Sequence, residues 1–235
     1  MTGLRQRKLR PVHQPLNAQT PPSFAHGFNF YKLFWVFFIG SFLGVVVETL
    51  WLLVRMHVLE SRVGLVIGPF NLVYGFGAVL ITLALWPLRE KRDSAIFLGG
   101  MLVGSTYEYF CSWLQEAVFG TVSWEYSELP YNLHGRINLQ YAMFWGILSV
   151  VWVKFIYPAL SRWIEGHIPN SIGKILTFAL LMFMVFDVFL SACAVGRMTV
   201  RHAGGEAGSR FEEMLDDWYP DEKLKKIFPS MEFVE

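Results

Sequence analysis

Apolar positions in this chain gather into five long runs separated by short polar breaks. The runs cover residues 30–54, 64–88, 94–119, 137–160 and 172–195, and each exceeds the roughly 20 residues an α-helix needs to cross a bilayer core. The breaks at 55–62, 89–93, 120–136 and 161–173 carry the charge and the turn formers. A transmembrane barrel would instead show alternating segments of about ten residues. The pattern predicts an all-α polytopic membrane bundle with about five transmembrane helices, spanning 30–196. Residues 1–29, basic and proline-rich, predict a disordered, uncleaved tail. Residues 197–235 predict a soluble, partly helical tail whose Leu215, Leu224, Ile227 and Phe228 form a short apolar face, packing on the membrane surface or on the loops.

Composition agrees. Hydrophobic residues make up 54% of the 235 and charged residues only 17%, against about 25% charged in a soluble domain. Twenty Lys+Arg against 19 Asp+Glu leave a net charge of +1, so no global field points to nucleic acid. Charge placement matters more. With the N-terminus cytoplasmic, the inside segments hold Arg5, Arg7, Lys8, Arg10, Arg89, Lys91, Arg92, Arg162 and Lys174, as the positive-inside rule requires of a multi-pass membrane protein. Arg197, Arg201 and Arg210 run against that orientation. Cys111 and Cys193 both lie in apolar runs, which argues against a disulfide or a zinc site. The six histidines show no ligand spacing, and no phosphate loop, His-Glu-x-x-His helix or Gly-x-Ser-x-Gly elbow occurs, so no metal or other cofactor is expected.

Each charge in hydrocarbon costs about 2.5 to 3.5 kcal/mol on insertion scales, so the carboxylates inside the runs need a reason. Glu48 sits late in the first run, Glu108 and Glu116 late in the third, and Asp187 late in the fifth. Odd-numbered spans run the same way, which places all four toward one membrane face. Asn71 and Tyr74 early in the second run and Asn138 early in the fourth reach that face too, as does Arg136, the obvious counter-charge. Glu108, Ser112, Gln115 and Glu116 fall on one helical stripe. Together these predict one polar chamber opening toward one leaflet, with Glu48, Asn71, Tyr74, Glu108, Glu116, Arg136, Asn138 and Asp187 as a substrate or proton site. The loop residues Trp124, Glu125, Tyr126, Asn132 and His134 predict either an interfacial belt or a lid over it. Gly40, Gly44, Gly68, Gly75, Gly77, Gly100 and Gly104 read as close helix packing.

Several of these motifs, in this order, resemble one bacterial family. They are Glu48-Thr49-Leu50, Gly68-Pro69 with Tyr74-Gly75-Phe76-Gly77, Glu108-Tyr109, Trp124-Glu125-Tyr126-Ser127, Asn132-Leu133-His134-Gly135-Arg136-Ile137 and Phe144-Trp145-Gly146. The chain is similar to the permeases labelled ABC-transporter type IV (CmpB-like) over most of residues 31–200, with Tyr219-Pro220-Asp221-Glu222 and Phe228-Pro229 also matching. Glu125 stands where the family pattern has aspartate, and Asn71-Leu72-Val73 replaces a Cys-Pro-Ile type run. The resemblance implies permease activity in a bacterial inner membrane. The family name allows a separate ATPase as partner, but no loop resembles the Glu-Ala-Ala segment by which importer permeases engage one, so none is indicated.

The leading expectation is therefore a permease-like protein that binds or transports a small polar or cationic solute, with Glu108 changing protonation. Its rivals are a membrane-embedded enzyme acting on a lipid headgroup and an accessory subunit without its own site. Membrane lipids, a second copy or other membrane subunits are the expected partners.

Overall fold

A computed structural model describes residues 23–234. The expected tail lies outside the described residues for its first 22 positions. Residues 23–29 correct the rest of that expectation. Phe24 and Ala25 are buried, and the Phe24 amide donates to Asn170 Oδ1 at 2.7 Å. Asn29 then caps the first helix by accepting from Lys32 N.

Five helical rods follow. Helix α1 is Phe30–Met56; α2 is Leu72–Leu85, extended by a 3₁₀ turn Trp86–Leu88; α3 is Asp93–Phe119. Helix α4, Leu139–Val151, runs through a π-helical stretch Trp152–Ile156 into α5, Tyr157–His167. Pro158 explains the widening: its ring would clash with the carbonyl four residues back and it donates no hydrogen bond, so the turn opens and the Tyr157 amide reaches Trp152 O. Helix α6 is Asn170–His202. Three of these rods, α1, the α4–α5 rod and α6, are long and apolar enough to cross a membrane. Helix α3 is as long as α1, 27 residues or about 40 Å, but carries Asp93, Glu108 and Glu116. Large side chains such as Leu98, Leu102, Phe155, Ile175, Met182 and Phe189 point outward, as in a lipid-facing surface.

The second rod begins at 72, not at 64. Gly68 takes a left-handed φ of 73°, Pro69 follows, and Asn71 caps α2 by accepting from Val73 N, so residues 64–71 form an ordered loop. Helix α6 likewise continues past the expected boundary at 196.

Helices α1 and α2 cross antiparallel through Gly40, Gly44 and Gly75, and α3 and α4 through Gly100, Gly104 and Gly146. At one end the core is aromatic and aliphatic, built on Phe34, Trp35, Ile81, Trp152, Tyr157 and Ile164. This half also holds a charge: Lys32 is fully buried there, bonded to Ser161 Oγ and Glu165 Oε1, each at 2.5 Å.

The opposite end carries the loops. Helices α7 (Arg210–Trp218) and α8 (Asp221–Ile227) pack on α6 around Leu190, Ala194, Met198, Leu215 and Leu224. Strand β1 (Thr121–Val122) pairs antiparallel with β4 (Glu232–Phe233), and β2 (Asn132–Leu133) with β3 (Ile137–Asn138).

Candidate solute-binding site

Glu48, Asn71, Glu116, Asn138 and Asp187 lie toward the loop-bearing end, as helix parity requires. They do not form one chamber. Asp187 is completely buried; its Oδ1 accepts from the Ile67 amide at 3.0 Å and from Ser191 Oγ at 3.3 Å, while Ser191 Oγ also accepts from Val66 N. It pins the 64–71 loop to α6. Asn71 and Asn138 are both helix caps, with side-chain amides that donate to Arg62 O and Pro130 O.

The α3 stripe faces the 120–138 loop. Arg136 donates to Glu116 at 2.5 Å and to Ser112 at 3.1 Å, so the expected counter-charge is paired with one particular carboxylate. Gln115 bonds to Thr121 and Ser123. Glu108, 8% exposed, accepts from Tyr126 Oη and Trp145 Nε1, both at 3.0 Å. Tyr126 stacks on Tyr141, and burial, followed by the Glu108 charge, pushes its phenol above the usual tyrosine range. The loop is thus plugged into the bundle at Tyr126, while the Trp124 indole donates to Arg136 O within the loop. Asn132 and Glu125 brace the loop internally: Asn132 donates to Ser127 O and Leu129 O, and Glu125 is exposed and held below the usual carboxylate range by hydrogen bonds from Ser127. His134 Nδ1 meets Tyr109 Oη at 2.9 Å.

A test of the Glu108 contacts follows from its two donors. In Glu108→Leu both donors lose their acceptor, and leaving such a buried group unsatisfied costs about 1–3 kcal/mol. The melting temperature in detergent should fall, and adding Tyr126→Phe should restore part of the loss, because one of the two unsatisfied donors is gone. Equal melting temperatures for Glu108→Leu and wild type would contradict this geometry.

Among the described residues, a larger and a smaller cavity lie at this end. The larger, about 270 Å³, is walled by Glu48, Arg62, Asn71, Tyr74, Gln115 and Trp124 and roofed by the C-terminal residues Phe228, Pro229, Ser230 and Met231. The smaller, about 160 Å³, lies on the other side of Trp124 against Glu116, Glu125, His134 and Arg136. Glu108 and Asp187 line neither wall. Sequence reasoning did not select Arg62, which reads there only as a loop cation, nor the roof residues, although Phe228-Pro229 was legible as a motif.

The roof is tied down by charge. Arg197, 6% exposed, grips Asp216 with two parallel bonds of 3.1 and 2.6 Å, and Arg201 bonds to Asp216 and Asp221. The Arg197 bond, with help from Arg201, holds the Asp216 carboxyl below the usual range. Ser61 Oγ donates to Ile227 O, Arg62 bonds to Ser230, and Val234 N donates to Gly120 O.

The fold defines a multi-pass membrane protein with a roofed pocket at the loop-bearing end of the bundle. A family model described as "Putative ABC-transporter type IV" matches residues 35–192, two thirds of the chain, and the chain belongs to that family. It is thus a membrane protein of a transport-related family. The match runs from α1 into α6 and ends before the roof segment, to which the sequence resemblance also extends. No curated protein and no solved structure matches the chain.

Proposed function

We propose that this protein is a permease-like membrane component that holds a small polar solute in the 270 Å³ cavity at one membrane face. One observation carries the reading. A carboxylate, a guanidinium, an amide and aromatic side chains converge on a cavity at the helix ends, where only a short C-terminal segment separates it from the surface. Of the residues expected from sequence, Glu48, Asn71, Tyr74 and Trp124 belong to this site; Glu116, Arg136, Glu125 and His134 belong to the adjoining one. Glu108 and Asp187 hold the loops that enclose it.

Mass spectrometry of small molecules that co-purify with the solubilised protein tests the proposal. A solute found with wild type should be lost from Val195→Phe, which narrows the cavity wall without altering its charge. The same molecules in both preparations, or none in either, would refute it.

A membrane-embedded enzyme acting on a lipid headgroup is the second reading. It is favoured by the aromatic core around Phe34, Trp35 and Trp152, which fills the far half of the bundle where a transport path would have to continue. A lipid retained in chemically altered form would decide for the enzyme.

A further inference from the structure

We infer that the occupant of the larger cavity is a compact organic cation, an ammonium group on a small apolar body; this deepens the reading of that cavity as a solute site. Glu48 stands on the wall of that cavity. Among the described residues no hydrogen-bond donor reaches its carboxylate, and its nearest cation, Arg62 Nε, stands 3.7 Å from Oε1. A direct charge-assisted bond would measure about 2.7–2.9 Å. The pair is therefore open.

Two of the three Arg62 nitrogens are committed elsewhere: Nη2 donates to Glu60 Oε2 at 3.0 Å and Nη1 bonds to Ser230 Oγ, while Nε is buried with no hydrogen-bond partner. One guanidinium is thus shared between Glu48, on the wall, and Glu60, outside the lining, and only partly offsets the Glu48 charge. The neighbouring Glu116–Arg136 pair is closed at 2.5 Å and adds no net charge. An anion would compete with Glu48 for Arg62, whereas a monocation would complete the pairing of Glu48.

The remaining wall decides what kind of cation. Tyr74, Phe119, Trp124 and Phe228 surround the cavity, and aromatic faces attract a desolvated ammonium by about 0.5–2 kcal/mol each. A bare divalent ion needs six to eight oxygen ligands, and no group of three or more His, Cys, Asp or Glu side chains suited to a metal occurs among the described residues. At about 270 Å³ the cavity sits just below the usual range for drug-sized ligands, so the body is small. A free solute and the ammonium end of a lipid headgroup share this chemistry.

Calorimetry on the full chain in detergent, with choline chloride as probe and glycine betaine and sodium acetate as controls, tests the inference. Choline should bind, and Glu48→Gln should weaken it about tenfold or more, equivalent to about 1.4 kcal/mol. Trp124→Leu should also weaken it, with Trp124→Phe recovering part of the affinity; all three variants should elute and melt as folded protein. If choline fails but an ethanolamine lipid co-purifies and is depleted in Glu48→Gln, the ammonium chemistry stands with a lipid as its source. Betaine or acetate binding as tightly as choline would overturn the cation while leaving a solute site. Absence of any ammonium compound in both experiments would overturn the cation, and the co-purification from Val195→Phe would then judge the site itself.

Discussion

Gly75→Leu is expected to leave almost no folded protein to recover. Even a Cβ at this position would lie 2.0 Å from Ser41 Oγ and 2.8 Å from Phe37 O. The second atom belongs to the α1 backbone and cannot swing aside. Overpacking usually costs about 1–3 kcal/mol, and a branched side chain pressed on backbone should exceed that. Separating α1 from α2 would also break the Asn71 N to Ser41 O bond that seats the start of α2 beside the cavity. Gly166→Leu supplies the comparison, because a Cβ there meets nothing within 4 Å. Size-exclusion chromatography in detergent should show aggregation for the first and a wild-type peak for the second. A monodisperse Gly75→Leu with an unchanged melting temperature would show that the helices do not approach this closely.

Asp216→Ala is expected to release the C-terminal segment from the bundle while the transmembrane helices stay folded. The substitution leaves Arg197, almost completely buried, with only Glu212 at 3.9 Å, and takes one of two carboxylates from Arg201. Breaking a largely buried pair costs about 3–5 kcal/mol, which the quarter exposure of Asp216 reduces to roughly 2–3 kcal/mol of local docking energy. Hydrogen exchange should accelerate across residues 210–234 and remain slow in α1 and α4. Because residues 228–231 roof the cavity, access to it should increase.

Acid should reproduce part of this release. The folded Asp216 carboxyl titrates below its unfolded value near 3.9, so its contribution is complete above that value. It is lost as the pH falls through the lower, folded value. Exchange in α7, corrected for its intrinsic rate, should therefore be flat from neutral pH to about 5 and rise below about 4. A rise centred near neutral pH would point to another group.

Much of the framework was legible because the bilayer imposes it. Runs longer than about 20 apolar residues give helices, and parity puts the late residues of odd spans at the same end as the early residues of even ones. The Glu108, Ser112 and Glu116 stripe does face the loop that Arg136 comes from. The second span was misplaced by eight residues because 64–71 is apolar enough for a helix. Two of its amides, those of Val66 and Ile67, are instead satisfied by Ser191 and Asp187, more than 100 positions away. A hydropathy pattern contains no such partner.

The same reason separates the carboxylates. Parity brings four of them to one face but says nothing about their partners. Glu116 has Arg136, Glu108 has two neutral donors, Asp187 has a loop amide, and Glu48, the one of the four that borders the larger cavity, is only loosely paired with Arg62 at 3.7 Å. The sequence by itself determined the membrane class, the helical rods and the end at which polar residues collect, because these follow from local hydrophobicity and helix direction. Only the tertiary structure decided which polar groups are spent on holding loops and which line a cavity. That division depends on distances between residues as remote in sequence as Arg62 and Ser230.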